Sequence, residues 1–230
     1  MAEDAAEITK SKAELKAEAM IRRQKRNQRK AWAEGYLTAI CAMLNPGDLA
    51  LDLGANMGVV TEKLAATGAD VIAYEPDPFA FATLQAKFAG QAHVTLVNAA
   101  VGVGSGTVRL MRADNFEANP VGASVKSTIL DGGRRIDAEN AVEVPLLDFP
   151  SIIRDLTGAR GEVAFVKMDI EGAELDILEA MQREGLFAQV RSLVAETHER
   201  KFRDLRDRYK ALRAAVAADF PGGRINLDWI

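Results

Sequence analysis

Leu49-Ala50-Leu51-Asp52-Leu53-Gly54-Ala55-Asn56-Met57-Gly58 is the stretch that decides the fold of this 230-residue chain. A short, mostly apolar run stops at a glycine, as expected of a strand buried on both faces in a parallel sheet. Val59 to Thr67 then reads as a helix, with Gly68 placed to end it. The alternation repeats with a strand at Val71–Tyr74, a helix at Pro78–Ala89 and a strand at Val94–Val97. Further along, Val163–Met168 and Val190–Ala195 read as strands, with helices over 149–156, 171–183 and 200–218 around them. Strands and helices at this spacing are the signature of βαβ units. The prediction is an α/β, Rossmann-like fold: a mainly parallel sheet with helices on both faces.

Outward from this frame the pattern changes twice. Residues 5 to 44 read as an Ala-, Glu-, Lys- and Arg-rich helix, stopped by the turn formers Asn45-Pro46-Gly47-Asp48. Arg22 to Lys30 holds six basic residues and no acidic one, which reads first as a solvated helical face. Residues 1–44 are therefore taken as an N-terminal helical extension and 45–230 as the main domain. Within that domain, 102–143 is rich in Gly, Asn, Asp and Ser, with short β-like runs at Thr107–Met111 and Ala141–Pro145. It is read as an irregular or antiparallel insertion that shapes a pocket. After Pro221-Gly222-Gly223 a last β-like segment, 224–230, closes the chain.

Composition narrows the function. A net charge of −4 gives no global electrostatic reason to expect nucleic acid as a partner. No apolar run approaches the ~20 residues that span a bilayer, and Met1-Ala2-Glu3-Asp4 does not open a secretory signal. Location in the cytoplasm is the expectation. Cys41 is the single cysteine, which excludes an intrachain disulfide and a Cys-rich zinc site.

The chemistry-bearing residues fall at strand ends. Gly54 and Gly58 lack the G-x-G-x-x-G spacing of a dinucleotide site. Asp52 would repel a pyrophosphate but suits a cationic ligand, and S-adenosylmethionine carries both a sulfonium and an ammonium. Gly54, Asn56 and Gly58 form the turn at which such a ligand approaches backbone. Glu75, at the tip of the second strand and about 20 residues beyond the glycine turn, can accept from two ribose hydroxyls, while Asp77 reads as a helix cap. Asn98, before the small residues Ala99 and Ala100, ends the third strand beside the same site. Asp169 ends the fourth strand, with Glu171 and Glu174 at the start of a helix, where capping competes with function. His198 follows the fifth strand, where catalytic groups belong, whereas His93 reads as structural.

Leu51-Asp52-Leu53-Gly54-Ala55-Asn56-Met57-Gly58, Glu75-Pro76 and Val166-Lys167-Met168-Asp169-Ile170-Glu171-Gly172-Ala173-Glu174 together resemble the FkbM family of methyltransferases over roughly residues 45 to 200. The resemblance implies a class I methyltransferase fold, S-adenosylmethionine as methyl donor, and O-methylation of a hydroxyl on a small molecule or sugar. A class I fold ends in an antiparallel two-strand hairpin, and only one terminal strand is evident here, which bears on the sheet edge and on any homodimer built there. Cofactor contacts are expected from Asp52, Gly54, Asn56, Gly58, Glu75, Asn98 and Asp169. A hydroxyl acceptor needs a general base within hydrogen-bond reach, for which His198, Asp169 and Glu171 are the candidates; no metal is expected. The rival reading is a non-catalytic protein that keeps the fold and binds the cofactor or a partner.

Overall fold

Ser11 and Glu14 start the first helix, α1 (Lys12–Met43), as a capping box. The Glu14 backbone N–H donates to Ser11 Oγ at 3.2 Å, and the Ser11 N–H donates to Glu14 Oε2 at 2.8 Å. This is a computed structural model, and it describes residues 11–116, 118–119, 124, 127–129, 136–199 and 203–229. The helical readings of 5–10 and 200–202, and the end of the last β-like segment, lie outside the described residues. The chain divides into a helical unit up to Ala39 and an α/β unit over Ile40–Trp229, so the division falls inside α1. Arg22 to Lys30 are exposed throughout. Among the described residues no helix is long and apolar enough to cross a membrane.

The α/β unit is built on β1 (Leu49–Leu53), β2 (Asp70–Tyr74), β3 (Val94–Val97), β7 (Val163–Met168), β8 (Val190–Ala195) and β9 (Ile225–Asn226). These form one sheet in the order β3-β2-β1-β7-β8-β9, with every neighbouring pair parallel. The connecting helices are α2 (Val59–Ala65), α3 (Pro78–Lys87), α4 (Phe149–Arg160), α5 (Glu174–Arg183) and α6 (Arg206–Asp219). The sheet grows in opposite directions from β1 and from β7. Right-handed crossovers therefore put α2 and α3 on one face and α5 and α6 on the other. Leu51, Leu53, Val166, Met168 and Leu193 are fully buried between them, each such side chain stabilising the fold by roughly 1.5–3 kcal/mol. The order reverses between β1 and β7, and the carboxyl ends of these two strands flank a ligand crevice.

The insertion forms its own sheet, with β6 (Ile136–Asp148) between β4 (Ala100–Gly102) and β5 (Gly106–Ala113). β5 pairs antiparallel to β6, as the sequence suggests, but β4 pairs parallel to β6 and the segment runs on to Asp148. Ala100, Leu110 and Val144 make its small apolar core. One helix starts later than expected. α5 begins at Glu174 rather than Glu171, because Glu171 and Gly172 have φ of 60° and 118°, which an α-helix does not contain. The terminal β-like segment is a two-residue strand parallel to β8.

Candidate active site

Gly54 sets the floor of the crevice. Its φ is 77°, and a Cβ placed there would lie 1.9 Å from the Asp169 carbonyl oxygen, so only glycine lets β1 and β7 release their loops side by side. Its N–H and that of Ala55 both donate to the Tyr74 carbonyl at 3.0 Å. Gly58 (φ 73°) precedes α2, and a Cβ there would meet Leu84 and Phe88 at 2.7 and 2.8 Å. It brings α2 onto α3 and does not itself line the crevice.

Asp52 is also placed differently from the expectation. It is fully buried below the turn, accepting from Thr61 Oγ1 at 2.6 Å and lying 3.2 Å from Lys167 Nζ. The cation it meets is therefore Lys167, its direct partner in the β1–β7 register. Lys167 Nζ also donates to the carbonyls of Leu53 and Gly54, at 3.2 and 2.7 Å, and lies 4.0 Å from Asp169. Burial disfavours the ammonium, but Asp52 and Asp169 outweigh it and hold Lys167 above the usual lysine range. The signal for Lys167 in the sequence is a lysine inside an otherwise apolar strand, which needs a buried partner.

At the β1–β2 end of the crevice stand Gly54, Asn56, Glu75 and Pro76. Glu75 is 5% exposed. Its Oε2 accepts the Asn56 N–H and its Oε1 the Asp77 N–H, each at 2.8 Å. Burial pushes its carboxyl up to about 7, opposed by those two N–H groups and by Lys167. Asn56 takes a φ of 47°, which aims its N–H at Glu75, and its side-chain amide donates to Ser124 Oγ at 3.3 Å. Asn98 does not line the crevice; its amide clasps the Glu75 and Pro76 carbonyls at 2.8 and 3.0 Å and fixes the loop that carries Glu75. Asp77 caps α3 through the Phe79 N–H and pairs with Arg112 Nε at 2.9 Å. Ala99, Ala100, Leu110 and Ile129 form the apolar wall, which the sequence marked only at its two alanines.

The β7–β8 end carries Asp169 and Glu171 on the crevice. His198, 6% exposed, stands behind them. Its Nδ1 is 3.0 Å from Glu174 Oε1, and its Nε2 is 3.5 Å from Glu171 Oε2 and 3.8 Å from Glu196 Oε1. Asp169, Glu196 and His198 each offer an atom within 4.8 Å of the others. The three residues expected to contain the base are thus brought together, joined by Glu174 and Glu196. Thr128 Oγ1 donates to the Glu171 carbonyl at 2.7 Å and helps to hold its left-handed backbone.

Sheet order and the switch-point crevice define a Rossmann-like α/β protein. The domain described as "Methyltransferase FkbM domain" matches residues 52–216, and the chain belongs to that family of methyltransferases. Curated protein sequences give no match. Among solved structures, a TehB-like SAM-dependent methyltransferase from Corynebacterium glutamicum aligns at 23% identity and a TM-score of 0.23, over 35% of this chain and 44% of that one. A short-chain dehydrogenase/reductase from Brucella melitensis aligns at 11% identity and a TM-score of 0.32, over 76% and 68%. Both superpose too loosely to inform the fold, and the chain spans less than half of the first.

Proposed function

We propose that the protein transfers the methyl group of S-adenosylmethionine to a hydroxyl of a small molecule or sugar, and does so in the cytoplasm. The observation that carries this reading is Glu75. A carboxylate this deeply buried at a crevice is costly unless donors meet it, and each of its oxygens keeps an acceptor site beyond its one backbone N–H. A vicinal diol such as a ribose supplies two donors to such a group. The Gly54 turn allows close approach of the ligand to backbone, and Ala99 and Ala100 leave room for a flat ring.

When bound, S-adenosylmethionine supplies a methyl on a positively charged sulfur that needs no further activation. What remains for the chain is to align the acceptor, exclude water and take a proton. Asp169 and Glu171 on the crevice, with His198 directly behind, are the groups that can do the last. The family, the absence of a membrane-spanning helix among the described residues and the negative net charge support this reading over a nucleic-acid or membrane-embedded substrate. Calorimetric titration with S-adenosylmethionine and, separately, NAD tests it, followed by turnover on a panel of hydroxylated acceptors. Binding of NAD in place of S-adenosylmethionine sinks it.

A further inference from the structure

We propose that α1 is an interfacial helix that docks the protein on a bilayer of anionic phospholipid, an interaction that goes beyond the methyl-transfer reading and does not depend on it. Arg22, Arg23, Lys25, Arg26, Arg29 and Lys30 are all exposed on this helix. At about 100° per residue they fall within an arc of roughly 160°, and along the helix axis they span about 12 Å. Arg22 lies 3.5 Å from Glu18 and Lys30 3.8 Å from Glu34, both as exposed pairs one turn apart, and such pairs hold little energy. Arg23, Lys25, Arg26 and Arg29 form no ion pair among the described residues. The helix thus carries a dense cationic arc in a chain whose net charge is −4.

The opposite arc is uncharged and partly apolar. Ala17, Met20, Ile21, Ala31 and Trp32 lie there, with Gln24, Asn27 and Gln28 between them. Met20, Ile21 and Trp32 are each more than half exposed, so three large apolar side chains face water on the side away from the basic arc. A basic arc set against an apolar one is the pattern of a helix that lies in the plane of a membrane interface. Its apolar side chains enter the boundary between headgroups and acyl chains, a depth that Trp prefers, while its cations are drawn to the negative lipid surface. The three amides keep the insertion shallow, because burying them in hydrocarbon is costly, and attraction to negative lipid must supply the rest. Two other occupants fit less well. The uncharged arc and the basic run share a centre at Arg26, so a second copy packed on this arc, in either direction, sets basic run beside basic run. A nucleic acid would meet the basic arc but leave Met20, Ile21 and Trp32 in water.

Sedimentation of the full chain with vesicles tests this, comparing phosphatidylcholine alone with phosphatidylcholine holding about 30% phosphatidylglycerol, at about 0.1 M salt. Binding is expected to the anionic vesicles alone and should weaken as salt is raised. Each basic residue at such a surface is worth about fivefold in affinity, so the triple variant Arg23→Gln, Arg26→Gln, Arg29→Gln should bind about a hundredfold more weakly. Glutamine keeps the helix propensity of these positions. Ile21→Gln should weaken binding severalfold, an effect that attachment by charge alone does not show. The chain has two tryptophans, and Trp229 is buried. Wild-type emission should therefore shift to the blue on anionic vesicles, and Trp32→Phe should abolish the shift. Wild-type protein that ignores the anionic vesicles, binds neutral ones equally or binds without the Trp32 shift overturns the proposal. A folded triple variant that binds as wild type does so too; if that variant does not fold, Ile21→Gln and the Trp32 emission decide. Gel shift of duplex RNA by a chain that ignores the vesicles assigns the basic arc to nucleic acid instead.

Discussion

The two ends of the crevice are built by opposite means. At the β1–β2 end, backbone does the work: N–H groups of Asn56 and Asp77 hold Glu75, and a glycine without Cβ clears the floor. At the β7–β8 end, side chains from two loops and a helix hold one another: His198 on Glu174, with Glu171 and Glu196 on its far nitrogen. A backbone-built end serves a ligand that does not change, whereas a side-chain-built end can be altered residue by residue. On the methyl-transfer reading proposed above, the first end would take the cofactor and the second the acceptor.

Lys167 touches both ends, so removing it breaks the comparison most severely. Lys167→Met leaves the Asp52 carboxylate buried without its cation and the Gly54 carbonyl without its lysine donor, with an expected cost of about 3–5 kcal/mol in urea denaturation. Adding Asp52→Asn, which removes the stranded charge, should recover part of that loss. A single mutant as stable as wild type would show the pair to be dispensable. Gly54→Ala comes next, at about 3 kcal/mol, from its positive φ and the 1.9 Å approach to the Asp169 carbonyl. A lowered melting temperature, or failure to fold, is the expected result.

Glu75→Gln sharpens the contrast, because it touches one end alone. S-adenosylmethionine affinity should fall by roughly tenfold to a hundredfold, the ~1.5–3 kcal/mol of a charged hydrogen bond. An unchanged affinity in a folded variant would show that Glu75 does not meet the ligand.

The pH dependence of binding is a smaller effect of the same residue. Glu75 is held at about 7 by burial, and hydroxyl donors favour its ionised form. Binding should therefore release a proton and tighten as pH rises through 7, by up to about tenfold per unit below that point and little above it. Calorimetry in buffers of different ionisation enthalpy measures the proton. The stability of the ligand-free protein moves the other way. Its pKa in the folded protein lies above the ordinary carboxyl value of 4.5, so this contribution is full below about 4.5 and is lost as pH rises through about 7. The smallest effect is expected from deleting residues 1–30, since every cofactor candidate lies after residue 48: affinity should stay within about threefold, below ~1 kcal/mol.

Much of the fold and half of the site were legible in the sequence. β1, β7 and β8 lie where their apolar runs placed them, because a strand buried on both faces is apolar at nearly every position; β3, a partly buried edge strand, also lies on its apolar run. Asp77 caps α3 as its position before Pro78 suggests. The residue type of Asp52 suggests a cationic partner, and the cation it meets in the structure, Lys167, lies more than a hundred residues along the chain. Glu favours the first turn of a helix, yet Glu171 and Gly172 take φ of 60° and 118° and lie before α5.

By itself the sequence determined the alternation of strands and helices, the glycine turn and the placing of Glu75, Asp169 and His198 at strand ends, since these follow from local pattern and from the polarity of a parallel sheet. Only the tertiary structure decided that Asp52 faces Lys167, that Glu174 meets His198, and that β4 joins β6 to wall the crevice. Each of these is a contact between distant segments, set by the register and packing of whole elements, and local preference carries no information about register.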